Sequence, residues 1–161
     1  MRPTAIAAAL LLAAMPAVAP DTAPALAEHV AIQAGALHWE PIPPAYPPGA
    51  QVALLAGNPE HDGPYVLRVK VPAGYKVPPH THPTDENVTV ISGTFHLGMG
   101  ERLDTRKGQA VRAGGFVLVA RDTPHYAWFT SPTVFQVHGI GPFAISYVNP
   151  ADDPRNASAQ Q

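Results

Sequence analysis

The chain contains no cysteine, which excludes disulfides, thiol nucleophiles and zinc sites with cysteine ligands. Charge is also scarce: 10 lysines and arginines accompany 12 aspartates and glutamates, and no block of like charge occurs. A basic stripe that could bind nucleic acid or an anionic membrane surface is therefore missing. Helix-periodic runs are few after the N-terminus, and the 20 prolines and 13 glycines instead favour many short strands joined by turns.

The N-terminal segment predicts export. One arginine, an apolar run from Thr4 to Met15 and small residues before Glu28 are typical of a secretory signal peptide, with cleavage expected near Ala27. The apolar run is short for a bilayer span, so no stable membrane span is expected after cleavage; an uncleaved anchor helix is the alternative. The mature protein is then expected to be periplasmic or secreted.

The rest of the chain predicts a single all-β domain, since 161 residues suffice for one domain with a substantial core. Residues 28–50 are expected to form an irregular, proline-rich arm anchored by Trp39 and Tyr46. Strand patterns and turn signals then alternate regularly over residues 51–148, which indicates a closed or two-sheet β architecture. Residues 149–161 are polar and are expected to form a flexible C-terminal tail.

The most informative motif lies between Gly74 and Gly93. His80 and His82 are two residues apart, so a strand would point both side chains to one face, and Glu86 follows four residues later. Two imidazoles and a carboxylate that converge can bind a divalent metal and leave coordination positions open. One more histidine from far along the chain would complete such a site.

This spacing, Gly-x5-His-x-His-x3-Glu-x6-Gly, resembles the first motif of the cupin superfamily without a departure. A later stretch resembles the second cupin motif in part. Gly114 and His125 are in register with it, whereas its usual proline, glycine and asparagine are replaced by Ala120, Asp122 and Phe129. Asp122 can supply the turn geometry of the missing glycine. The resemblance implies a cupin-type jelly-roll β-barrel with one metal inside, as in small single-domain cupins of undefined function.

By this resemblance, the barrel holds one divalent metal ion on His80, His82, Glu86 and His125. Three imidazoles and one carboxylate suit iron, manganese, nickel, copper or zinc, and ligand chemistry alone does not choose among these ions. Glu86 is also a candidate catalytic base, because a carboxylate ligand that loosens from the metal could accept a proton. Small cupins are often dimers, so the resemblance also implies a homodimer.

Strand parity predicts further residues of the pocket. Val88 and Val90 share a face with Glu86, and Phe129 shares a face with His125, which together predict an apolar chamber around the metal. Gln136 and His138 share a face of a later strand, and they would contact substrate if that face is interior. A structural histidine bonded to the backbone is the alternative for His138.

The same parity places Tyr126 and Trp128 on the opposite, outer face of their strand. Either another subunit or the proline-rich arm is expected to cover this aromatic pair. His96 is also expected to point outward and not to be a metal ligand.

Together these features favour an exported metal-dependent oxygenase or related oxidoreductase that acts on a small organic molecule. A non-catalytic periplasmic domain that binds or senses a metal or small molecule is one alternative. Zinc-binding sensor domains of the anti-sigma type have a similar barrel, but the apparent signal peptide and the missing helical partner-binding domain count against that version. A non-redox lyase or isomerase that uses the metal as a Lewis acid is the other alternative.

Overall fold

Two antiparallel β-sheets form the protein in the computed structural model, which describes residues 29–157. The predicted signal peptide, residues 1–27, lies outside the described residues. Within them the strands are β1 (Glu40–Pro41), β2 (Gln51–Gly57), β3 (Gly63–Val71), β4 (Lys76–Thr81), β5 (Glu86–Ser92), β6 (Thr94–Met99), β7 (Gln109–Arg112), β8 (Phe116–Val119), β9 (His125–Trp128), β10 (Thr133–Gly141) and β11 (Ser146–Tyr147).

One sheet has six strands in the order β1-β2-β3-β10-β5-β8, and the other has five in the order β11-β4-β9-β6-β7. Residues alternate between faces along each strand. In β10, for example, Thr133, Phe135 and Val137 are buried, whereas the residues between them are half-buried. The apolar sides of both sheets supply one hydrophobic core, and the prediction of an all-β domain is confirmed.

The motif glycines adopt the left-handed backbone conformation that their turns require. Gly74, Gly93 and Gly114 have φ angles of 82°, 77° and 84°, a region that side chains with a Cβ rarely enter. Asp122 has a φ of 57°, and aspartate is one of the few residues that tolerate this region. The expectation that Asp122 replaces a turn glycine is therefore confirmed.

The outer aromatic pair is covered by the chain itself, and the prediction of a cover from the arm or another subunit was wrong. The connection between β6 and β7, residues 100–108, folds back over this face of the five-stranded sheet. The Tyr126 hydroxyl donates a hydrogen bond to the Asp104 carbonyl at 3.1 Å. A Cβ on Gly108 would lie 2.6 Å from the Trp128 ring, so only glycine permits this close approach. Both aromatic side chains are buried as a result.

The proline-rich arm lies against the edge of the fold. Its strand β1 pairs with β2 at the edge of the six-stranded sheet, where Pro41 does not interrupt a central ladder. The Lys70 ammonium lies 4.6 Å from the centroid of the Trp39 ring. The C-terminal residues differ from the predicted tail: Pro150–Asp152 form a 3-10 helix, and Pro154–Ala157 form one helical turn. No helix of residues 29–157 is long and apolar enough to span a membrane.

Candidate metal centre

Two of the candidate ligands lie on neighbouring strands of the five-stranded sheet. His80 on β4 is paired directly with His125, the first residue of β9. The register between β4 and β9 shifts between Val77 and His80, which marks a bulge. Val77 and His80 both line the cavity although they are three positions apart. In a regular strand such residues would point to opposite faces, and the bulge accounts for the exception.

The other two candidate ligands lie where the chain crosses from one sheet to the other. His82 follows the end of β4, and Glu86 begins β5 in the six-stranded sheet. The Asp122 amide donates a hydrogen bond to the His82 carbonyl at 2.8 Å, so the turn before β9 is tied to the end of β4. The structure therefore brings together the four side chains that the sequence singled out.

Backbone carbonyls fix the orientation of all three imidazoles. Each Nδ1 lies within hydrogen-bond distance of one carbonyl oxygen: 2.7 Å for His80 with Pro78, 2.6 Å for His82 with Ala144 and 2.9 Å for His125 with Thr123. A ring that donates from Nδ1 presents a lone pair at Nε2, and a metal-binding histidine commonly uses this arrangement. The three Nε2 atoms are thus the atoms available to a metal.

The ligand atoms converge in a buried position. One nitrogen from each of His80, His82 and His125 lies within 4.8 Å of the others, and all three side chains are buried. The Glu86 Oε2 atom lies 3.2 Å from Nε2 of His125 and 4.0 Å from Nε2 of His82. Two ligands that are each about 2.1 Å from one ion lie at most about 4.2 Å apart; both Glu86 distances are below this limit, and the histidine nitrogens need only a small adjustment to reach it. The donor set and its spacing therefore fit a single divalent ion.

The pKa values of His80, His82 and Glu86 fit metal binding. Burial, helped by the other two histidines, lowers the pKa of His80 to about 3, and burial lowers the pKa of His82 as well. Burial opposes ionisation of Glu86, but the hydrogen bond from His125 and the nearby histidine charges outweigh it and hold its pKa at about 2. For His125, burial favours the neutral ring, but the hydrogen bond with Glu86 and the charge of that carboxylate outweigh burial and raise the pKa. Neutral imidazoles and an ionised carboxylate are the forms that bind a metal, so metal binding would release the proton that His125 and Glu86 share.

The four side chains line one cavity of about 630 Å³ between the sheets. Phe129 lines it. Val88 and Val90 are buried in the adjoining core and do not line the cavity. Gln136 and His138 do not line it either, because Phe135 and Val137 of the same strand point inward. The Gln136 side chain instead accepts a hydrogen bond from Arg68 at 2.8 Å on the other face.

His96 lies away from the cavity, on the outer face of the five-stranded sheet. Its ring stacks on Trp128 with centroids 5.0 Å apart, and its Nδ1 lies 3.1 Å from the Trp128 carbonyl oxygen. This position agrees with the expectation that His96 points outward. It also makes His96 a suitable control in experiments on metal binding.

Sequence reasoning missed two contributors to the site. Phe143 stacks on the His82 ring with centroids 4.2 Å apart and planes 21° apart, and the adjacent Ala144 supplies the carbonyl that orients the same ring. Both residues lie in the connection between β10 and β11. A lone phenylalanine and a backbone carbonyl give no signal in a sequence, because only the fold brings this connection next to β4.

The arm contributes Tyr46 to the cavity, where the sequence predicted only an anchor. The residues on either side of Tyr46 are held by two tyrosine hydroxyls. Tyr147 donates to the Ala45 carbonyl at 2.9 Å, and Tyr75 donates to the Pro47 carbonyl at 2.5 Å. The Tyr46 side chain lines the same cavity as the three histidines. The arm therefore closes one side of the candidate metal centre.

Comparisons with solved structures show the same fold. A polyketide cyclase, RemF from Streptomyces resistomycificus, is 18% identical with a TM-score of 0.64 over 82% of this chain and 94% of its own. An acetylacetone dioxygenase from Acinetobacter johnsonii is 18% identical with a TM-score of 0.63, over 83% of this chain and 85% of its own. The DMSP lyase DddQ from Ruegeria pomeroyi is 20% identical with a TM-score of 0.57, over 72% of this chain and 63% of its own.

These identities establish similarity of fold alone, and the prediction of a cupin fold is confirmed. No protein in the curated set matches the sequence. A protein-family model described as the ChrR cupin-like domain matches residues 27–144. That match covers most of the chain, including all four candidate ligands, and the chain therefore belongs to the ChrR cupin-like domain family.

Proposed function

We propose that this protein is an exported metal-dependent oxidoreductase that acts on a small organic molecule. The observation that carries the proposal is the convergence of three oriented histidines and one carboxylate in the wall of an apolar cavity. A divalent metal bound there would supply Lewis acidity or redox chemistry to a substrate and to dioxygen. The structural similarity to an acetylacetone dioxygenase supports a 1,3-diketone as the first substrate to test.

The chain's own residues would have separate tasks in such a reaction. His80, His82 and His125 hold the ion through Nε2, with their rings fixed by backbone carbonyls. The Glu86 carboxylate is the fourth ligand and the one group among the four that can accept a proton from a bound substrate. The apolar walls of the cavity exclude water, which strengthens each electrostatic interaction inside it.

The test of this proposal joins metal analysis with oxygen consumption. Protein isolated from its native compartment should contain about one equivalent of iron, manganese, copper or nickel, and the His82→Ala variant should lose it. The matched His96→Ala variant should keep the metal. Oxygen uptake with acetylacetone and related diketones should then require the metal. Full activity of protein stripped of all metal would refute the proposal.

Export is a separate part of the proposal and has its own test. Cell fractionation should recover the protein outside the cytoplasm, and its N-terminal residue should be close to Glu28. Recovery of the full-length chain in the cytoplasm would contradict export without affecting the metal site. The predicted homodimer stays a prediction, which sedimentation of the purified protein would decide.

A non-redox reaction is the second candidate. It is favoured by the similarity to a polyketide cyclase and to a DMSP lyase, since neither name implies an oxidation. Zinc as the native metal, together with turnover under anaerobic conditions, would support this candidate over the first. Tight retention of metal without turnover of any substrate would instead support a binding domain.

A further inference from the structure

The cavity that contains the candidate metal centre extends well beyond the histidines. Its volume of about 630 Å³ falls within the range of about 300–1,000 Å³ that small-molecule sites have. His125 and Ala127 on β9 and Phe129 directly after it all line the cavity. Four residues of strand span about 13 Å. A ligand that binds the metal would therefore have most of its body in the region beyond His125.

The walls of that region are apolar. Phe95, Phe129 and Phe135 pack against one another with ring centroids between 5.1 and 5.6 Å apart, and Val69 and Val137 line the same space. Besides Glu86, the charged side chains that line the cavity are solvent-exposed, namely Glu40, Glu60 and Arg155. A charged group on the body of a ligand would lose its hydration here without an opposite charge nearby, which is costly.

The arm lines the cavity with the polar side chains of His38, Glu40 and Tyr46, of which the first two are solvent-exposed and Tyr46 is half-buried. No hydrogen bond within residues 29–157 involves its hydroxyl, in contrast to the hydroxyls of Tyr75 and Tyr147, which hold the arm. Burial, with a smaller contribution from the Glu86 carboxylate, raises the pKa of Tyr46. The hydroxyl therefore stays protonated and remains available as a hydrogen-bond donor to a ligand oxygen.

We propose that the ligand of this site has an uncharged, apolar body held among Phe95, Phe129 and Phe135, and an oxygen-bearing end that binds the metal and accepts a hydrogen bond from Tyr46. This inference rests on the metal-binding role proposed above and adds the substrate class to it. It excludes sugars, amino acids and dicarboxylates, whose polar bodies would leave unpaired groups in the apolar region.

The test uses n-alkyl hydroxamates, which bind divalent metals through two oxygen atoms, and the full-length mature protein loaded with cobalt(II). Calorimetric titration with butano-, hexano- and octanohydroxamate should show an affinity gain of about fourfold for each added methylene. The monohydroxamate of suberic acid has the same length as octanohydroxamate but ends in a carboxylate. It should bind at least about tenfold more weakly than octanohydroxamate. Equal affinities along the series, or equal affinities of these two ligands, would overturn the inference.

Two variants and their controls assign the effect to this cavity. Ala127→Leu narrows the apolar region and should remove the gain for the longer hydroxamates, whereas Ala110→Leu, on the exposed surface of β7, should preserve it. Tyr46→Phe should weaken all three hydroxamates by a similar factor, since their metal-binding ends are identical. An unchanged hydroxamate affinity in Tyr46→Phe would show that the Tyr46 hydroxyl does not bind the ligand.

Failure of the metal site would be distinguishable from failure of this inference. Cobalt binding is measured first, from the visible absorption of the loaded protein, and its absence would contradict the proposed function. In that case the metal-free protein is titrated with 1-octanol and 1-butanol. If octanol binds more tightly than butanol and Ala127→Leu abolishes the difference, the result would support an apolar ligand region even without a metal site. Equally weak binding of both alcohols would overturn the inference.

Discussion

His80 and His125 lie directly opposite each other on β4 and β9, with their ring centroids 4.2 Å apart. In both residues Nδ1 approaches the carbonyl oxygen of the residue two positions earlier, Pro78 or Thr123. The two rings are therefore oriented by the same local device on antiparallel strands. A cross-strand pair built in this way presents two Nε2 atoms to one point and gives the site a rigid base.

The first prediction concerns this histidine pair. His80→Ala and His125→Ala should each lower metal affinity by more than about 100-fold. Loss of a residue that only hydrogen-bonds to a metal ligand lowers affinity by up to about 100-fold, and loss of a ligand itself should lower it further. Because both rings bind one ion, the metal affinity of the double variant should be only slightly lower than that of the single variant with the lower affinity. Competition with a chromophoric chelator measures all three affinities. Additive losses would show that the two histidines act independently, and His96→Ala should match the unmodified protein.

The second prediction concerns Phe143, whose ring stacks on His82. Phe143→Leu keeps an apolar side chain but removes the flat surface that holds the imidazole, so metal affinity should fall by about tenfold. Phe116→Leu replaces a phenylalanine that is 56% exposed, and its metal affinity should not change. Both affinities are measured by the same chelator competition, with thermal unfolding as a check on the fold. An unchanged affinity in Phe143→Leu would mean that the Ala144 carbonyl alone orients His82.

The sequence was sufficient to predict the fold and three of the four converging side chains because their signals are local, and His125 followed from the resemblance to the second cupin motif. The spacing of His80, His82 and Glu86 is read directly from one segment, and the turn glycines bound its strands. The position of Gln136 and His138 stayed open at the level of the sequence for a different reason. Alternation along β10 determines which residues share a face, but only packing decides which face is interior. Phe135 and Val137 occupy the interior face because they are more apolar than Gln136 and His138.

Features that depend on long-range packing left no comparable signal. The connection over Tyr126 and Trp128 was missed because a polar stretch with two glycines is typical of an ordinary loop. The role of Tyr46 was missed because the tyrosines that hold its segment, Tyr75 and Tyr147, are 28 and 102 residues from the carbonyls that they contact. A contact between residues so far apart in sequence leaves no local pattern from which it could be predicted.

The third prediction concerns the two hydroxyls that hold the arm. Tyr75→Phe and Tyr147→Phe each remove one hydrogen bond to a backbone carbonyl, and each should lower the free energy of unfolding by about 1 kcal/mol. Amide hydrogen exchange should also become faster in residues 42–48, since this segment loses one of its two attachments. Chemical denaturation and exchange mass spectrometry measure the two effects.

Tyr65→Phe is the matched control for these variants. The Tyr65 hydroxyl is buried, and within the described part of the chain it has no hydrogen-bond partner. Removing it should therefore leave stability unchanged or raise it slightly, because no bond is lost and a polar atom leaves the core. Exchange in the arm should not change. If Tyr65→Phe lost as much stability as Tyr75→Phe, the hydroxyls of Tyr75 and Tyr147 would not stabilise the protein through their contacts with the arm.

The fourth prediction concerns Gly98, which lies under the ring of Tyr126. A Cβ at this position would lie 2.1 Å from two ring carbons, and the Tyr126 side chain is buried and bonded to Asp104, so it has little room to move. Gly98→Ala should therefore lower the free energy of unfolding by about 1–3 kcal/mol, as overpacking does. Gly35→Ala is the control, since no atom lies within 4 Å of its added Cβ. Thermal and chemical unfolding should separate the two variants.

Metal affinity should be retained in folded Gly98→Ala, because the face of β9 that Gly98 contacts lies opposite the cavity. A parallel loss of metal affinity would show that the two faces of β9 are coupled.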